Sequence, residues 1–317
     1  MLISTVAGTI HRFGMVRPGD RVLVALSGGP DSVALTHALI ELGGRPASDN
    51  HPFSGTADEL GRPVVAAAKA EPFEVILAHL NHQLRRDSSE DEAFCSSMAV
   101  RLDIPFVSEG VDVAELARTT RRSVEDAGRL ARYRFFKETA RRLGCTRIAL
   151  GHTRDDQAET FLLRLLRGAG TTGLAAIRPV VEGKLIRPLL ESSRREILEY
   201  LAVRGLPYRV DPTNADPSIP RNRVRNEALP YLESQFNPSL VDTLARNAEL
   251  LREEDTWMEA EARRALRQVQ TKEDPSRARS LSLSIAKLAA LHPALQRRVI
   301  RKAIDAESSL ADGHFYL

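Results

Sequence analysis

Cysteine is scarce in this 317-residue chain, where only Cys95 and Cys145 occur. Two cysteines exclude a framework of several disulfides, and they leave no cysteine cluster for zinc or an iron–sulfur centre. So little cysteine favours a reducing compartment, and we expect a cytoplasmic protein. Long apolar runs are also missing, since no segment approaches the roughly 20 apolar residues of a membrane span. We therefore expect no membrane partner.

A large excess of one charge is lacking as well, because 45 Lys and Arg residues face 42 Asp and Glu residues. The net charge of +3 is only a weak indication of an anionic partner. Hydrophobic residues make up 43% of the chain and charged residues 27%, as in an ordinary soluble globular protein. A chain of this length can bury a substantial core and is predicted to hold two domains.

Short apolar, β-branched runs alternate along the chain with segments of helical spacing. We predict strands at 21–26, 74–78, 104–107 and 147–150, and helices at 32–42, 88–102, 123–143 and 155–166. Repeated β–α units predict an α/β fold with a doubly wound parallel sheet. Ligands of such a sheet bind at the carboxyl ends of its strands.

Two segments interrupt this alternation and divide the chain. Residues 44–72, rich in Gly and Pro, read as an insertion, and a tolerated loop is favoured over a catalytic lid because loops accept length at small cost. The second segment, 211–225, is rich in Pro, Asn and Asp, so turns are expected there. Beyond it the pattern is helical. We predict an α/β domain at 1–216 and a smaller α-rich domain at 217–317.

Small and polar residues replace the apolar run where the first predicted strand ends, in the order Ser27, Gly28, Gly29, Pro30, Asp31 and Ser32. Backbone N–H groups at the start of the following helix, with two serine hydroxyls, predict a cradle for phosphate. A carboxylate beside phosphates suits a Mg²⁺ ion between them. The alternative is that Asp31 is an ordinary acidic residue in a helix's first turn.

Two other phosphate-binding patterns do not fit the chain. The Walker sequence G-x-x-x-x-G-K-[ST] does not occur. Residues 168–173 do match G-x-G-x-x-G, but they follow a predicted helix instead of a strand. A dinucleotide-binding turn needs the strand, so this interpretation fails.

The SGGPDS sequence resembles the pyrophosphate loop, or PP-loop, of the ATP pyrophosphatase superfamily. Other motifs are similar to those of the tRNA(Ile)-lysidine synthase family and occur in the same order. They are HLNHQLR at 79–85, EDAGRLARY at 125–133, GHTRDDQAET at 151–160, RGAGTTGL at 167–174, DPTN at 211–214 and RNRVR at 221–225. The resemblance covers about 21–230 and implies an adenine nucleotide alpha hydrolase-like fold.

The resemblance also implies an activity, a ligase that uses ATP and Mg²⁺. Such an enzyme adenylates the C2 oxygen of the wobble cytidine in tRNA(Ile) with a CAU anticodon. Free L-lysine then displaces AMP and gives lysidine. Asp31, Asp156 and His152 are the implied catalytic residues, with both aspartates on Mg²⁺. The helical domain is expected to contact tRNA, and a homodimer is expected because family members are often dimers.

The residues around Asp156 also allow simpler roles. Asp156 follows the fourth predicted strand, so it reaches the same sheet edge as Asp31, yet Thr153-x-x-Asp156 also matches a helix capping box. His152 either polarises a phosphate or the base, or only packs at the strand end. Glu159 lies on the same helix face as Asp156 and is expected to bind substrate or orient a neighbour.

Further polar residues are candidates for binding substrate or tRNA. They fall after the second strand, along one face of the basic predicted helix, and in the RNRVR segment. They are Asn81, His82 and Arg85; Glu125, Arg129 and Arg132; and Arg221, Arg223 and Arg225, which we expect to clamp phosphates of ATP or tRNA. His79 and His82 lack a second ligand pair, so a zinc site is rejected.

Two other functions remain as alternatives. A PP-loop tRNA thiolase would need a catalytic cysteine or a cysteine-bound cluster, but Cys95 is predicted on a helix and Cys145 before a strand. A nucleotide-binding module without chemistry would keep the glycines of the loop. It would need neither Asp156 nor the arginines.

Overall fold

A computed structural model of the chain describes residues 1–43, 73–84, 88–211, 213, 216–271 and 281–309. The predicted insertion at 44–72 and the candidate Arg85 lie outside these residues. Six strands form one sheet in the order β3-β2-β1-β4-β6-β5, and only β5 is antiparallel to its neighbour. They are β1 Arg21–Ala25, β2 Glu74–Asn81, β3 Phe106–Gly110, β4 Arg147–Ala149, β5 Val180–Val181 and β6 Leu185–Ile186.

Helices follow most strands, and loops and turns connect the elements. The helices are α1 Leu2–Arg12, α2 Pro30–Gly43, α3 Ser88–Leu102, α4 Val113–Thr120, α5 Val124–Arg142, α6 Arg154–Leu166, α7 Thr171–Leu174, α8 Arg194–Val203, α9 Pro220–Arg223, α10 Leu229–Gln235, α11 Leu240–Val269, α12 Ile285–Ala289 and α13 Pro293–Ser309. A π-helical turn, Val224–Ala228, joins α9 to α10. No described helix is long and apolar enough to cross a membrane.

The sheet has a buried apolar layer on each face, as its central strand illustrates. Val22 and Val24 of β1 pack in one cluster with residues of α1, α2, α3 and α8. Leu23 points to the opposite face, where it packs with Phe135 and Phe136 of α5. Burying one such side chain stabilises the fold by roughly 1.5–3 kcal/mol. The predicted α/β fold with a parallel sheet covered on both faces is confirmed.

Two strands differ from their predicted ranges because of where their polar residues lie. β2 continues to Asn81 instead of ending at Ala78, since His79 and Asn81 are buried, and His79 Nδ1 and the Asn81 amide have hydrogen-bond partners. His79 Nδ1 lies 2.8 Å from the carbonyl oxygen of Leu26. β3 begins at Phe106, and its last three residues are exposed, so it carries little apolar pattern.

The RNRVR segment is helical, although turns were expected across 211–225. Pro220 is in the first turn of α9, where a backbone N–H would have no partner within the helix, so a proline is tolerated. The helical turns place Arg221 and Arg225 one turn apart on one face, and Arg223 is exposed. Because the segment is helical, Arg223 does not share the face of Arg221 and Arg225, although all three alternate in the sequence.

The chain forms two compact units whose limits differ from the predicted boundary at 216. The first contains Met1–Leu163 and Ile177–Ala245, and so includes α9 and α10. The second contains Arg164–Ala176 with the described part of the chain after Ala245. Its core includes Ala262, Ala265, Val269 and Val299, from α11 and α13.

Candidate active site

The loop after β1 is held by its own serines. The hydroxyl of Ser32 accepts a hydrogen bond from the Ser27 N–H at 3.1 Å and donates to the Gly29 carbonyl at 2.9 Å. Gly28 has φ +82°, a left-handed conformation that favours glycine. Pro30 begins α2, two residues before the predicted start of this helix. The six residues 27–32 thus form a tight, preformed turn at the carboxyl end of the strand.

A second loop, after β4, comes into direct contact with this turn at Gly151. A Cβ atom on Gly151 would lie 3.2 Å from the backbone carbon of Asp31 and 3.3 Å from the Ser32 nitrogen. Both atoms are backbone, so a side chain at Gly151 would have to push the turn away by a few tenths of an ångström. This contact brings the predicted site residues after β1 and β4 together at one edge of the sheet.

Asp31 has an unusual environment for a carboxylate. Its Oδ1 atom is buried without a hydrogen-bond partner among the described residues, and Oδ2 lies 3.4 Å from Arg194 Nη1. Burial raises the pKa of Asp31 to about 6, against the opposing effect of Arg194. A buried carboxylate oxygen without a hydrogen-bond partner, in a turn predicted to bind phosphate, fits a divalent cation, because such cations are bound by oxygen atoms.

Asp156 has both of its carboxylate oxygens in use. Oδ2 accepts the Thr153 N–H at 2.8 Å and the Thr153 hydroxyl at 3.1 Å. Oδ1 accepts from Arg221 at 2.6 Å and Arg225 at 3.2 Å. Burial disfavours its charge, but Arg221, the Thr153 amide and Arg225 outweigh this and lower the pKa of Asp156. The helix-start bonds expected from the sequence are present together with an ion pair.

Glu159 completes a buried charge cluster with Asp156, Arg221 and Arg225. Its side chain is only 1% exposed, and it accepts hydrogen bonds from Arg221 Nε at 2.7 Å and Arg225 Nε at 2.5 Å. Two carboxylates therefore face two guanidiniums, and the cluster is balanced in formal charge. In this structure these two arginines of the RNRVR segment contact protein carboxylates.

Arg187, which sequence reasoning missed, directly follows β6 at the same sheet edge. It is 6% exposed, and among the described residues no carboxylate pairs with it. Its Nε donates to His152 Nδ1 at 3.2 Å, its Nη1 donates to the Arg178 carbonyl, and it also contacts the Tyr133 hydroxyl. Because a guanidinium only donates, Nδ1 of His152 must accept, which leaves the imidazole proton on Nε2.

His152 is therefore expected to stay neutral throughout the working pH range. Loss of solvent and the charge of Arg187 lower the pKa of His152 to about 3. In wild-type protein, NMR should detect no titration of this imidazole between pH 5 and 8. Arg187→Met should move the pKa of His152 upwards, towards 6.5. A wild-type His152 that titrates near pH 6.5 would contradict this arrangement.

The candidates after β2 are held by structural contacts. The Asn81 amide donates to Glu92 Oε2 at 3.0 Å and to the Ser88 carbonyl at 3.2 Å, which ties it to the start of α3. His82 Nδ1 is buried without a partner among the described residues. Burial, Arg132 and His79 lower the pKa of His82 to about 4. The imidazole is therefore neutral, and any role in binding is through a hydrogen bond.

The candidates on α5 are exposed, as expected for a binding surface. Glu125, Arg129 and Arg132 all lie on the solvent side of the helix. The Arg129 guanidinium carbon is 5.7 Å from the centre of the Tyr133 ring, within the range of a cation–π contact. Arg129 and Arg132 are therefore both at the surface, near the sheet edge that carries Arg187.

Neither cysteine has the properties of a nucleophile. Cys95 is buried, and burial with nearby Asp91 and Glu92 raises the pKa of its thiol to about 12. Burial also raises the pKa of Cys145. A reactive cysteine needs the opposite shift. Among the described residues no group of three or more His, Cys, Asp and Glu side chains could hold a metal ion by itself.

The tight turn after the first strand, the buried carboxylates at the same sheet edge and the parallel sheet are typical of a nucleotide-binding α/β domain. The chain belongs to the PP-loop domain family, an ATP-utilising family whose profile matches residues 3–232. The resemblance of SGGPDS to the PP-loop is thereby confirmed.

Relatives with similar sequences carry one name. A tRNA(Ile)-lysidine synthase from Geobacter sulfurreducens is 45% identical over 256 residues, which cover 80% of this chain and 49% of that protein. Another from Symbiobacterium thermophilum is 40% identical, covering 98% of this chain and 61% of the relative. The chain therefore spans about half to three-fifths of the length of these relatives.

Among solved structures, the U34-tRNA thiolase NcsA from Methanococcus maripaludis, with its 4Fe–4S cluster, has a similar fold. The TM-score is 0.60 at 17% sequence identity, and the match covers 80% of this chain and 78% of the thiolase. At this identity the likeness concerns the fold only.

Proposed function

We propose that this chain is the catalytic part of a tRNA(Ile)-lysidine synthase. In the proposed reaction the C2 oxygen of the wobble cytidine attacks the α-phosphorus of ATP and pyrophosphate leaves. The side-chain amine of free L-lysine then attacks C2, and AMP leaves. The observation that carries the proposal is the buried, unpartnered oxygen of Asp31 beside the PP-loop, in a chain whose relatives bear this name.

The residues 27–32 are proposed to hold the ATP phosphates, with Mg²⁺ on Asp31. Mg²⁺ commonly binds through one or two carboxylates together with substrate phosphates and waters, so one orphaned oxygen is a sufficient protein contribution. The ion would neutralise phosphate charge as it develops during cleavage. Nε2–H of His152 is proposed to donate a hydrogen bond to a phosphate or to the base.

Arg221 and Arg225 remain proposed phosphate ligands, through an exchange of partners. Guanidinium groups bind phosphate as readily as carboxylate. If phosphates of ATP or tRNA attract Arg221 and Arg225, Oδ1 of Asp156 becomes free to share Mg²⁺ with Asp31. Glu159 would be released at the same step, and it stays a proposed substrate contact. Arg223 is exposed and is proposed to contact tRNA.

The finer parts of the proposal rest on the resemblance. They are recognition of the CAU anticodon in tRNA(Ile), use of free L-lysine, Mg²⁺ dependence, tRNA contacts by the helical region, a homodimer and a cytoplasmic location. Asn81, His82, Glu125, Arg129 and Arg132 stay proposed substrate or tRNA contacts, and Arg85 is kept from the sequence alone.

The direct test is transfer of labelled lysine to RNA. The protein is incubated with ATP, Mg²⁺, labelled L-lysine and a tRNA(Ile) transcript bearing CAU, and a transcript with the wobble C replaced by U is the matched control. Label should enter only the CAU transcript, with one AMP and one pyrophosphate formed per lysine.

Other outcomes identify the alternatives. Incorporation of sulfur from a labelled donor, without lysine transfer, would indicate a thiolase. Binding of ATP without any AMP formation in the presence of tRNA would indicate a nucleotide-binding module. Either result would contradict the proposed function.

A further inference from the structure

Two adjacent glycines, Gly28 and Gly29, give the turn at 27–32 one peptide that can rotate easily. Neither residue has a Cβ atom, so rotation of this peptide about its two flanking bonds meets little steric resistance. The peptide bond is trans, and its C=O and N–H groups therefore point in opposite directions. An N–H group turned towards a phosphate attracts it, whereas a carbonyl oxygen in that place repels it. The orientation of this peptide therefore decides how well the turn can hold phosphate.

A hydrogen bond from a distant part of the chain fixes that orientation. The backbone N–H of Arg209 donates to the Gly28 carbonyl oxygen at 2.8 Å. On the opposite side of the same peptide, the Gly29 N–H lies 3.4 Å from the Ser27 hydroxyl oxygen, which is long for a hydrogen bond. The carbonyl is therefore held firmly, and the N–H is only weakly engaged and can turn to a better acceptor.

Gly28 is also enclosed between two elements. A Cβ atom on Gly28 would lie 3.2 Å from Cδ1 of Phe94 and 3.5 Å from Sγ of Cys95, which are both on α3. It would also lie 3.5 Å from Cγ of Arg209, in the segment 206–210 that follows α8. We call 206–210 the clasp segment. The turn is packed against α3 on one side and against the clasp segment on the other.

The side chain of Arg209 anchors the clasp segment to α3. Its Nε donates to Asp91 at 3.0 Å and its Nη2 donates to Glu90 at 2.9 Å, and both carboxylates belong to the first turn of α3. The neighbouring side chains bury little surface, since Tyr208 is 38% exposed and Val210 is 73% exposed. The position of the backbone at 209 therefore depends on the guanidinium and its two carboxylates.

We propose that Arg209 is a positioning residue for nucleotide binding, which acts through the Gly28 carbonyl. The guanidinium holds the clasp segment on α3, and the backbone N–H holds the carbonyl. The N–H of Gly29 is thereby presented to a phosphate oxygen. The inference rests on the proposed function, because that function supplies ATP as the ligand of the turn.

The test measures ATP binding by titration calorimetry, with Mg²⁺ and without tRNA, for wild type, Arg209→Met and the matched control Arg204→Met. Methionine keeps the Cγ atom beside Gly28 and removes the guanidinium. The Arg204 side chain is 39% exposed, against 40% for Arg209, and it pairs with Glu41 at 2.9 Å on another part of the surface. If the peptide then keeps the required orientation only about a tenth of the time, the Kd for ATP rises about tenfold. Arg204→Met should bind ATP as wild type does.

The change should appear in the affinity for ATP and leave turnover intact. Bound phosphates hold the peptide themselves, so pyrophosphate release at saturating ATP should stay within about twofold of wild type while KM for ATP rises. Arg209→Lys keeps the charge but not the fork, so its affinity should lie between those of wild type and Arg209→Met. Thermal unfolding of the two methionine variants should change equally, since each loses an exposed ion pair.

The carboxylates of α3 give a second arm, whose sign separates positioning from attraction between charges. Glu90→Gln/Asp91→Asn removes negative charge near the turn, so Coulomb attraction alone predicts tighter ATP binding. Release of the clasp segment predicts the opposite, a loss about as large as in Arg209→Met. Adding Arg209→Met to this double variant should cause no further loss, because both changes break the same contacts. Tighter or unchanged binding in the double variant would overturn the inference, and so would wild-type affinity in Arg209→Met.

This inference and the proposed function fail in different ways. If wild type transfers lysine and Arg209→Met binds ATP equally well, the role of Arg209 is wrong and the proposed function stands. If wild type binds ATP without transferring lysine and the variants differ as expected, the proposed function is wrong and the role of Arg209 stands. A wild-type chain that binds no ATP would overturn both.

Discussion

Asp31→Asn should abolish pyrophosphate release while making the free protein more stable. The change keeps the size of the side chain but removes the negative charge proposed to hold Mg²⁺ against the phosphates. Loss of such electrostatic stabilisation commonly lowers the rate about a hundredfold or more. tRNA affinity should change little, because phosphate contacts lie elsewhere. Near-normal pyrophosphate release would contradict the assignment of Asp31 to the metal.

The gain in stability follows from the raised pKa of Asp31. Its value moves from 3.8 to about 6 on burial, so at neutral pH the folded chain holds a charge that the unfolded chain accommodates better. Without metal at pH 8, the free energy of unfolding of Asp31→Asn should exceed that of wild type by up to about 3 kcal/mol. The difference should shrink as the pH falls through 6 and vanish below 4.

The matched control for this measurement is Asp126→Asn, at an exposed carboxylate in the first turn of α5. Loss of a negative charge from a helix's first turn costs about 0.3–1 kcal/mol, so this variant should be slightly less stable than wild type. Opposite signs for the two variants are the expected result. A loss of stability at Asp31 would show that its ionised form is well accommodated.

Glu159→Gln should destabilise the first compact unit severely. The carboxylate is 1% exposed and accepts from both Arg221 and Arg225, and removing one member of a buried ion pair leaves the others without balancing charge. Such changes cost about 3–5 kcal/mol. Each kcal/mol corresponds to about 2–4 °C in Tm for a unit of this size, and thermal unfolding is the measurement.

An exposed pair supplies the comparison for Glu159. Glu138 accepts from Arg134 at 3.0 Å on the surface of α5, and both side chains are more than half exposed. Glu138→Gln should cost less than about 0.5 kcal/mol. If Glu159→Gln were equally mild, the four-residue cluster would contribute little to the fold. If the arginines exchange carboxylates for phosphates, saturating ATP should reduce the difference in Tm between Glu159→Gln and wild type.

The sequence predicted the site residues that come directly after a strand, because parallel strands end at one edge. Asp31, His152 and Asp156 could be placed together for that reason. Arg187 could not, since β6 is only two residues long and carries no readable pattern. The contacts of Arg221 and Arg225 with buried carboxylates could not be predicted either. It depends on helical turns in a Pro- and Asn-rich segment and on buried carboxylates some 65 residues earlier.

The second compact unit is assembled from distant parts of the chain, which affects how the protein folds during synthesis. Thr171 and Thr172 leave the ribosome long before Arg298, the residue that helps fix their loop through Asp255. At 5–20 residues per second the delay is about 6–25 s for the roughly 125 intervening residues. All six strands of the sheet are translated by then. α7 therefore gains its final position late, and a nascent chain stalled before α13 would carry the turn at 27–32 without Arg298 and its bonds to Asp255 and Thr171.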